Sequence, residues 1–185
     1  MKTLRFKLLI ILYSGLFFCS PLNARCLNTE TPSCSVYESC FADLCPCFDS
    51  EYEYFTSYGK KYCEAFLDLS TLSSAGKLWR DATLRCLQEK IVPILPINKA
   101  SDNCECESIQ TKSFDFHVSC YTQSHASICD LPVGDWWEIL EATEPVKNLK
   151  DSKSRKQMLE VAKICYPQVK NDTKEALVKI IDLLD

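Results

Sequence analysis

Apolar residues recur along most of this chain at steps of three and four, the period of one helical face. In the stretch from Tyr62 to Leu87, Trp79, Ala82 and Cys86 share such a face, while Lys77, Arg80, Asp81 and Arg85 fall largely elsewhere on the wheel. Ser73 or Ser74 can cap this helix, because a serine oxygen accepts from the free backbone N–H groups at a helix start. Pro93 and Pro96 end it. Upstream, Phe55, Tyr58, Tyr62 and Phe66 form an apolar stripe with Cys63 beside it, predicting a helix to about Leu69. Val36, Cys40, Phe41 and Leu44 predict a short helix over Ser35 to Leu44, stopped at Pro46.

The second half repeats the pattern. Cys106, Ile109, Ser113, Phe116 and Cys120 predict a helix from Cys106 to Tyr121, followed by a turn region to Pro132. Asp135 reads as the cap of the next helix, with Glu138 three residues on reaching back to it. Lys147 to Arg155 reads as a basic loop leading into a helix with Met158, Val161, Ala162 and Cys165 inward. A last helix starts near Asp172 with Leu177, Ile180, Ile181 and Leu184 on its stripe. With only 4 Gly and no sustained alternation, strands are nearly absent. The predicted fold is all-α, a disulfide-stapled bundle of about six to seven helices.

The first residues bear on compartment. Lys2, Arg5 and Lys7 precede an apolar run from Leu8 to Phe18, and Ala24 is a small residue at a plausible cleavage point. This reads as a secretory signal peptide over 1–24, followed by one domain over 25–185. Cys19 as a lipidated residue fits poorly, since bulky Phe17 and Phe18 stand where small residues are wanted. Losing the leader removes three positive charges from a chain already at net −4. An acidic chain argues against nucleic acid as a partner. Of 13 cysteines, Cys19 leaves with the leader, so the rest form an even set. In a secreted chain that is a disulfide framework. Cys45/Cys47 and Cys104/Cys106 are the places that suggest metal, but zinc sites usually space their sulfurs more widely and belong to reducing compartments. No cofactor and no metal are expected.

Catalytic signals are sparse. His117 lies two residues from Asp115, and on a helix those side chains point apart. His125 sits in a turn. No nucleophile elbow, His-Glu-x-x-His, phosphate loop or dinucleotide fingerprint occurs. The acidic and aromatic stretch Asp49 to Tyr54 lacks EF-hand spacing. Lys147 to Lys156 is a basic run that could serve as a heparin-like or processing site, though such runs are commonly solvated. Asn171-Asp172-Thr173 is a glycosylation sequon that also suits a helix cap. Trp136 and Trp137 are the candidate binding residues, since tryptophans anchor interfaces, with core packing as the plainer use.

The cysteine spacing carries a resemblance. The runs CFADLC over Cys40 to Cys45 and YCEAFL from Tyr62, then Gly76-Lys77 leading to Leu84-Arg85-Cys86, then Cys106, Cys120-Tyr121, Cys129 and Cys165, resemble the stanniocalcins, secreted helical glycoprotein hormones. The similarity spans Cys34 to Cys165. It implies bridges Cys34–Cys45, Cys40–Cys63, Cys47–Cys106, Cys86–Cys120 and Cys129–Cys165, leaving Cys26 and Cys104 to pair. The family sequon near Cys45 to Cys47 is missing, and no cysteine follows Cys165 to form the family's covalent dimer, so such a dimer is not expected. The resemblance implies a secreted, hormone-like, non-enzymatic protein acting on an extracellular receptor or protease. Stanniocalcins act in calcium and phosphate handling and inhibit pappalysin-type metalloproteinases. The alternative is a small secreted hydrolase or effector using His117 with an acidic neighbour such as Asp115.

Overall fold

Ser73 starts the helix on which the fold is built. Its hydroxyl accepts from Gly76 N–H at 3.1 Å, and the chain then runs helically over Ser74–Ile91. We label this helix α3 in a computed structural model that describes Cys26 and residues 32–96, 104–144 and 150–184. Trp79, Thr83, Leu84, Leu87 and Ile91 are its buried row. It packs on α4, Cys106–Tyr121. Three bonds of different kinds fix the pair: Trp79 Nε1–H donates to Tyr121 O at 3.0 Å, Thr83 Oγ1 donates to Cys120 O at 3.3 Å, and Cys86 is bridged to Cys120.

Before α3 come α1, a π-helical turn over Tyr37–Ala42, and α2, a π-helical turn over Phe55–Lys60 that continues as an α-helix over Lys61–Leu67. The wide turn in α2 shows in Gly59 N–H, which donates to Tyr54 O five residues back at 2.8 Å. A side chain at Gly59 has no room: a Cβ there would lie 2.6 Å from Tyr37 Cε1. Glu53 caps the same turn, accepting from Thr56 N–H at 2.8 Å and Ser57 N–H at 2.7 Å. Burial pushes the Glu53 carboxyl up, but these bonds outweigh it and leave its pKa below the ordinary value.

After α4 a small hairpin pairs Thr122–Gln123 (β1) with Ala126–Ser127 (β2). Then follow α5 (Val133–Ala142), α6 (Ser152–Cys165) and α7 (Asn171–Leu184). Helix α4 lies between α3 and α6; α7 packs on α6, and α5 touches both α2 and α7. The fold is all-α and stapled by disulfides, as the periodicity predicts. Helix α4 has the predicted limits. Helix α6 does not: Asp151 Oδ1 accepts from Ser154 N–H at 2.7 Å, so the helix begins at Ser152 and takes in residues read as loop. Lys153 and Lys156 then stand on the helix, Lys153 bonded to Gln110 and Lys156 facing Glu160 one turn on. Lys147, the leader over 1–24 and Cys19 lie outside the described residues.

All twelve cysteines from Cys26 to Cys165 are bridged. Cys47–Cys106, Cys86–Cys120 and Cys129–Cys165 are the pairs the resemblance implies. The other three differ: Cys26–Cys40, Cys34–Cys63 and Cys45–Cys104 replace Cys34–Cys45, Cys40–Cys63 and Cys26–Cys104. The reason is geometric. Cys34 and Cys45 flank opposite ends of α1, about 16 Å apart at helical rise, and a bridge tolerates Cα separations of only about 4.4–6.8 Å. Cys34 instead meets Cys63 with Cα atoms 5.6 Å apart, and Cys40, turned the other way on α1, meets Cys26 at 5.5 Å.

Candidate functional site

Three places could carry function, and each begins with a residue singled out by the sequence. The first is His117, on the inner face of α4. It is buried, Nδ1–H donating to Ser113 O at 2.8 Å, with the Tyr54 hydroxyl 3.4 Å from Nε2. Rings of Tyr54, Tyr58, Phe114 and Tyr121 surround it. Burial pulls its pKa down to about 4, against the carbonyl bonds that favour the proton. Tyr58 is pushed up to about 12 by the same burial. Asp115 lies exposed on the other side of the helix, so the structure does not bring it to His117. His117 is an uncharged core residue here, with no proton acceptor facing solvent. His125 is exposed beside the hairpin turn, along an open groove with Asp81, Arg85 and Glu89.

The second place gathers Cys45, Cys47, Cys104 and Cys106, whose sulfurs all lie within 4.8 Å of one another. The two Cys-x-Cys pairs flagged by spacing therefore do converge, from the segment after α1 and the start of α4. They converge as crossed bridges, Cys45–Cys104 and Cys47–Cys106. A disulfide sulfur is not a thiolate, and thiolate is the metal ligand, so this oxidised cluster is a staple.

The third place is the pair of tryptophans on α5. Asp135 is not the cap of that helix. The helix begins one turn earlier, behind Pro132, and Asp135 is buried in its first turn. Its carboxylate reaches across to α3, accepting from Ser73 N–H at 2.9 Å and from the Ser73 hydroxyl at 2.5 Å. Glu138 likewise turns outward from its own helix, accepting from the Thr71 hydroxyl. These bonds fix the rotation of α5 and so split the tryptophans. Trp136 is 7% exposed and Trp137 46% exposed. Trp136 thus fails as a surface anchor: it lines an apolar cleft with Ile139, Leu140, Met158 and Ile180. Gln157 joins the same wall, a residue that no sequence pattern marked. Asn171 is exposed at the start of α7, with Thr173 buried beneath it.

The class defined by these features is a disulfide-stapled all-α domain. Comparison with protein-family models, with curated proteins and with solved structures gave no match to this chain.

Proposed function

We propose that this chain is a secreted, non-enzymatic binding protein that presents Trp137 to an extracellular protein, a receptor or a protease. Trp137 carries the reading. It stands outward on a short helix whose orientation is locked by Asp135 on Ser73 and Glu138 on Thr71. A large aromatic held in place before contact loses little freedom on binding, which is what a hot spot needs. The bridging of the twelve cysteines supports an oxidising compartment. Among the described residues no helix is long and apolar enough to cross a membrane. A stanniocalcin-like build is supported by the bridges Cys47–Cys106, Cys86–Cys120 and Cys129–Cys165, while the pairings around α1 depart from it.

Secretion is tested by expressing the full chain in a secretory host and reading the N-terminus and thiol content of released protein. Cleavage near Ala24 with no free thiol is expected. Intracellular retention of the uncut, reduced chain would overturn it. Binding is tested by comparing extracellular proteins retained by wild type and by Trp137→Ser at matched stability. A species held by wild type should weaken at least tenfold, the range of an interface hot spot; equal retention by both removes Trp137 from the contact.

A further inference from the structure

The sequon Asn171-Asp172-Thr173 takes no part in the surface at Trp137, and its plainer use as a helix cap is not realised. Lys174 N–H donates to Lys170 O at 2.9 Å, so the ladder of α7 opens on Lys170 and Asn171 already stands inside the helix. The carboxylate of Asp172, rather than the amide of Asn171, meets a first-turn N–H, accepting from Thr173 at 2.9 Å. Asn171 is exposed, and its side chain has no hydrogen-bond partner among the described residues. Tyr166, Pro167, Gln168 and Lys170 before it are exposed as well, so the turn leading into α7 leaves room for a bulky group. Thr173 is the opposite case, at 4% exposure. Residues two apart on a helix point nearly opposite ways, so Asn171 looks outward where Thr173 looks in.

We infer that Asn171 carries an N-linked glycan, and that the glycan is attached before α7 winds and docks. In the transfer, the side-chain nitrogen of Asn171 bonds to the anomeric carbon of an oligosaccharide held on a lipid diphosphate. The bond from that carbon to the phosphate oxygen breaks, the lipid diphosphate leaves with the electron pair, and the amide gives up one proton. The transferase reads the threonine hydroxyl together with the acceptor amide. An extended chain shows it both at once, because residues two apart on a strand share a face. The finished helix does not: the hydroxyl belongs to a buried residue on the side away from the amide. The folded chain is therefore no acceptor, and the sugar has to arrive first. The covalent frame allows this order. No cysteine follows Cys165, so no bridge ties α7 down and it can stay undocked while the rest of the chain oxidises. When α7 docks, Thr173, Ala176 and Leu177 go inward and leave the glycan at the surface. The inference rests on the secretory route proposed above, which supplies the lipid-linked sugar.

The test has one arm in cells and one outside them. The full chain is expressed in a eukaryotic secretory host, and the released protein is treated with peptide N-glycosidase. A single loss of mass is expected, with the asparagine at position 171 converted to aspartate in the peptide that carries it. Asn171→Gln, a change at an exposed position, should abolish the shift and leave release intact. Thr173→Val should abolish it too, while Thr173→Ser, which keeps the hydroxyl, should retain it. Released wild type without the shift would overturn the proposal. In the second arm a purified oligosaccharyltransferase and its lipid-linked donor act on the full chain directly. The reduced, unfolded chain should be modified at Asn171, and the oxidised, folded chain should be left unmodified over the same time. Equal modification of both would overturn the order of events, and no modification of the reduced chain would overturn the site. A chain that is modified in the second arm but never released by cells would sink the secretory reading and keep Asn171 as an acceptor.

Discussion

His117 is held uncharged in an aromatic cage, and that sets an acid limit on the fold. Its pKa falls from an ordinary 6.5 to about 4 because burial disfavours the imidazolium. Above pH 6.5 both folded and unfolded chains carry it neutral, and its contribution is fully present. As pH drops from 6.5 toward 4, the unfolded chain takes up a proton that the folded chain refuses, so stability declines. The loss between pH 7 and pH 5 amounts to about 2 kcal/mol at 1.36 kcal/mol per unit. Urea unfolding across that range should show it, and His117→Gln should flatten it. Glu53 does not blur the window, since its lowered carboxyl surrenders stability only below its ordinary value of 4.5. An unchanged pH slope in His117→Gln would mean the imidazole is not the group responsible. Gly76 gives a second residue-level prediction. A Cβ there would lie 2.8 Å from Asp135 Cγ, inside the carboxylate that holds Ser73. Gly76→Ala should cost about 1–3 kcal/mol by overpacking. Combined with Asp135→Ala it should cost less than the sum of the two single changes, because the clash is gone once the carboxylate is. Strict additivity in chemical denaturation would refute the contact.

At the scale of elements, α3 and α4 form the unit least tolerant of separation. The Cys86–Cys120 bridge closes 34 residues, a loop worth about 4 kcal/mol of unfolded-chain entropy. Replacing both cysteines by Ala should lower the melting temperature by about 10 °C for a domain of this length, while helical circular dichroism at 20–25 °C is kept by the Trp79 and Thr83 bonds. A melting temperature unmoved by the double change would show that the helix pair is held by packing alone. These two helices were also the most legible in the sequence. On α4 the row Ile109, Ser113 and Cys120 is buried on one face, which periodicity reads directly; on α3 the row read as Trp79, Ala82 and Cys86 is displaced, since Ala82 and Cys86 are half-buried and Thr83, Leu84 and Leu87 go inward with Trp79. What periodicity cannot see is a side chain serving a different helix. Asp135 and Glu138 have the spacing of a local capping box, yet both reach across to the segment leading into α3. The start of α6 was hidden for a related reason. Ser152 to Lys156 is polar throughout, and its one buried member, Ser154, is a serine rather than an apolar residue, so the first turn of a helix capped by Asp151 looks like loop. Gln157 had no signal at all, since a buried glutamine is created by the packing of α6 on its neighbours and not by any pattern around it.

On the scale of the whole molecule, the bridges decide how the N-terminal segment is joined to the bundle. A short helix over Ser35 to Leu44 and a bridge from Cys34 to Cys45 are two sequence readings that exclude each other, because a helix holds its ends apart. The periodic signal, local and physical, survives in α1; the pairing borrowed from a resemblance does not. The consequence is a different mechanical connection. With Cys34 on Cys63 and Cys26 on Cys40, α1 is tied to α2 on one side and to the chain before it on the other. Cys45 and Cys47 then pin the segment after α1 to the start of α4 at one place. Proteolysis of the unreduced protein between Cys26 and Cys34, between Cys34 and Cys40, and between Cys40 and Cys45, followed by mass spectrometry, should yield a peptide joining Cys34 to Cys63 and none joining Cys34 to Cys45. The four clustered sulfurs should appear together in one linked fragment carrying Cys45, Cys47, Cys104 and Cys106. A Cys40–Cys63 peptide would restore the pairing implied by the stanniocalcin resemblance and require α1 to turn over relative to α2. A Cys34–Cys63 peptide would leave that resemblance resting on Cys47–Cys106, Cys86–Cys120 and Cys129–Cys165, and would make the N-terminal staple a feature of this chain's own geometry.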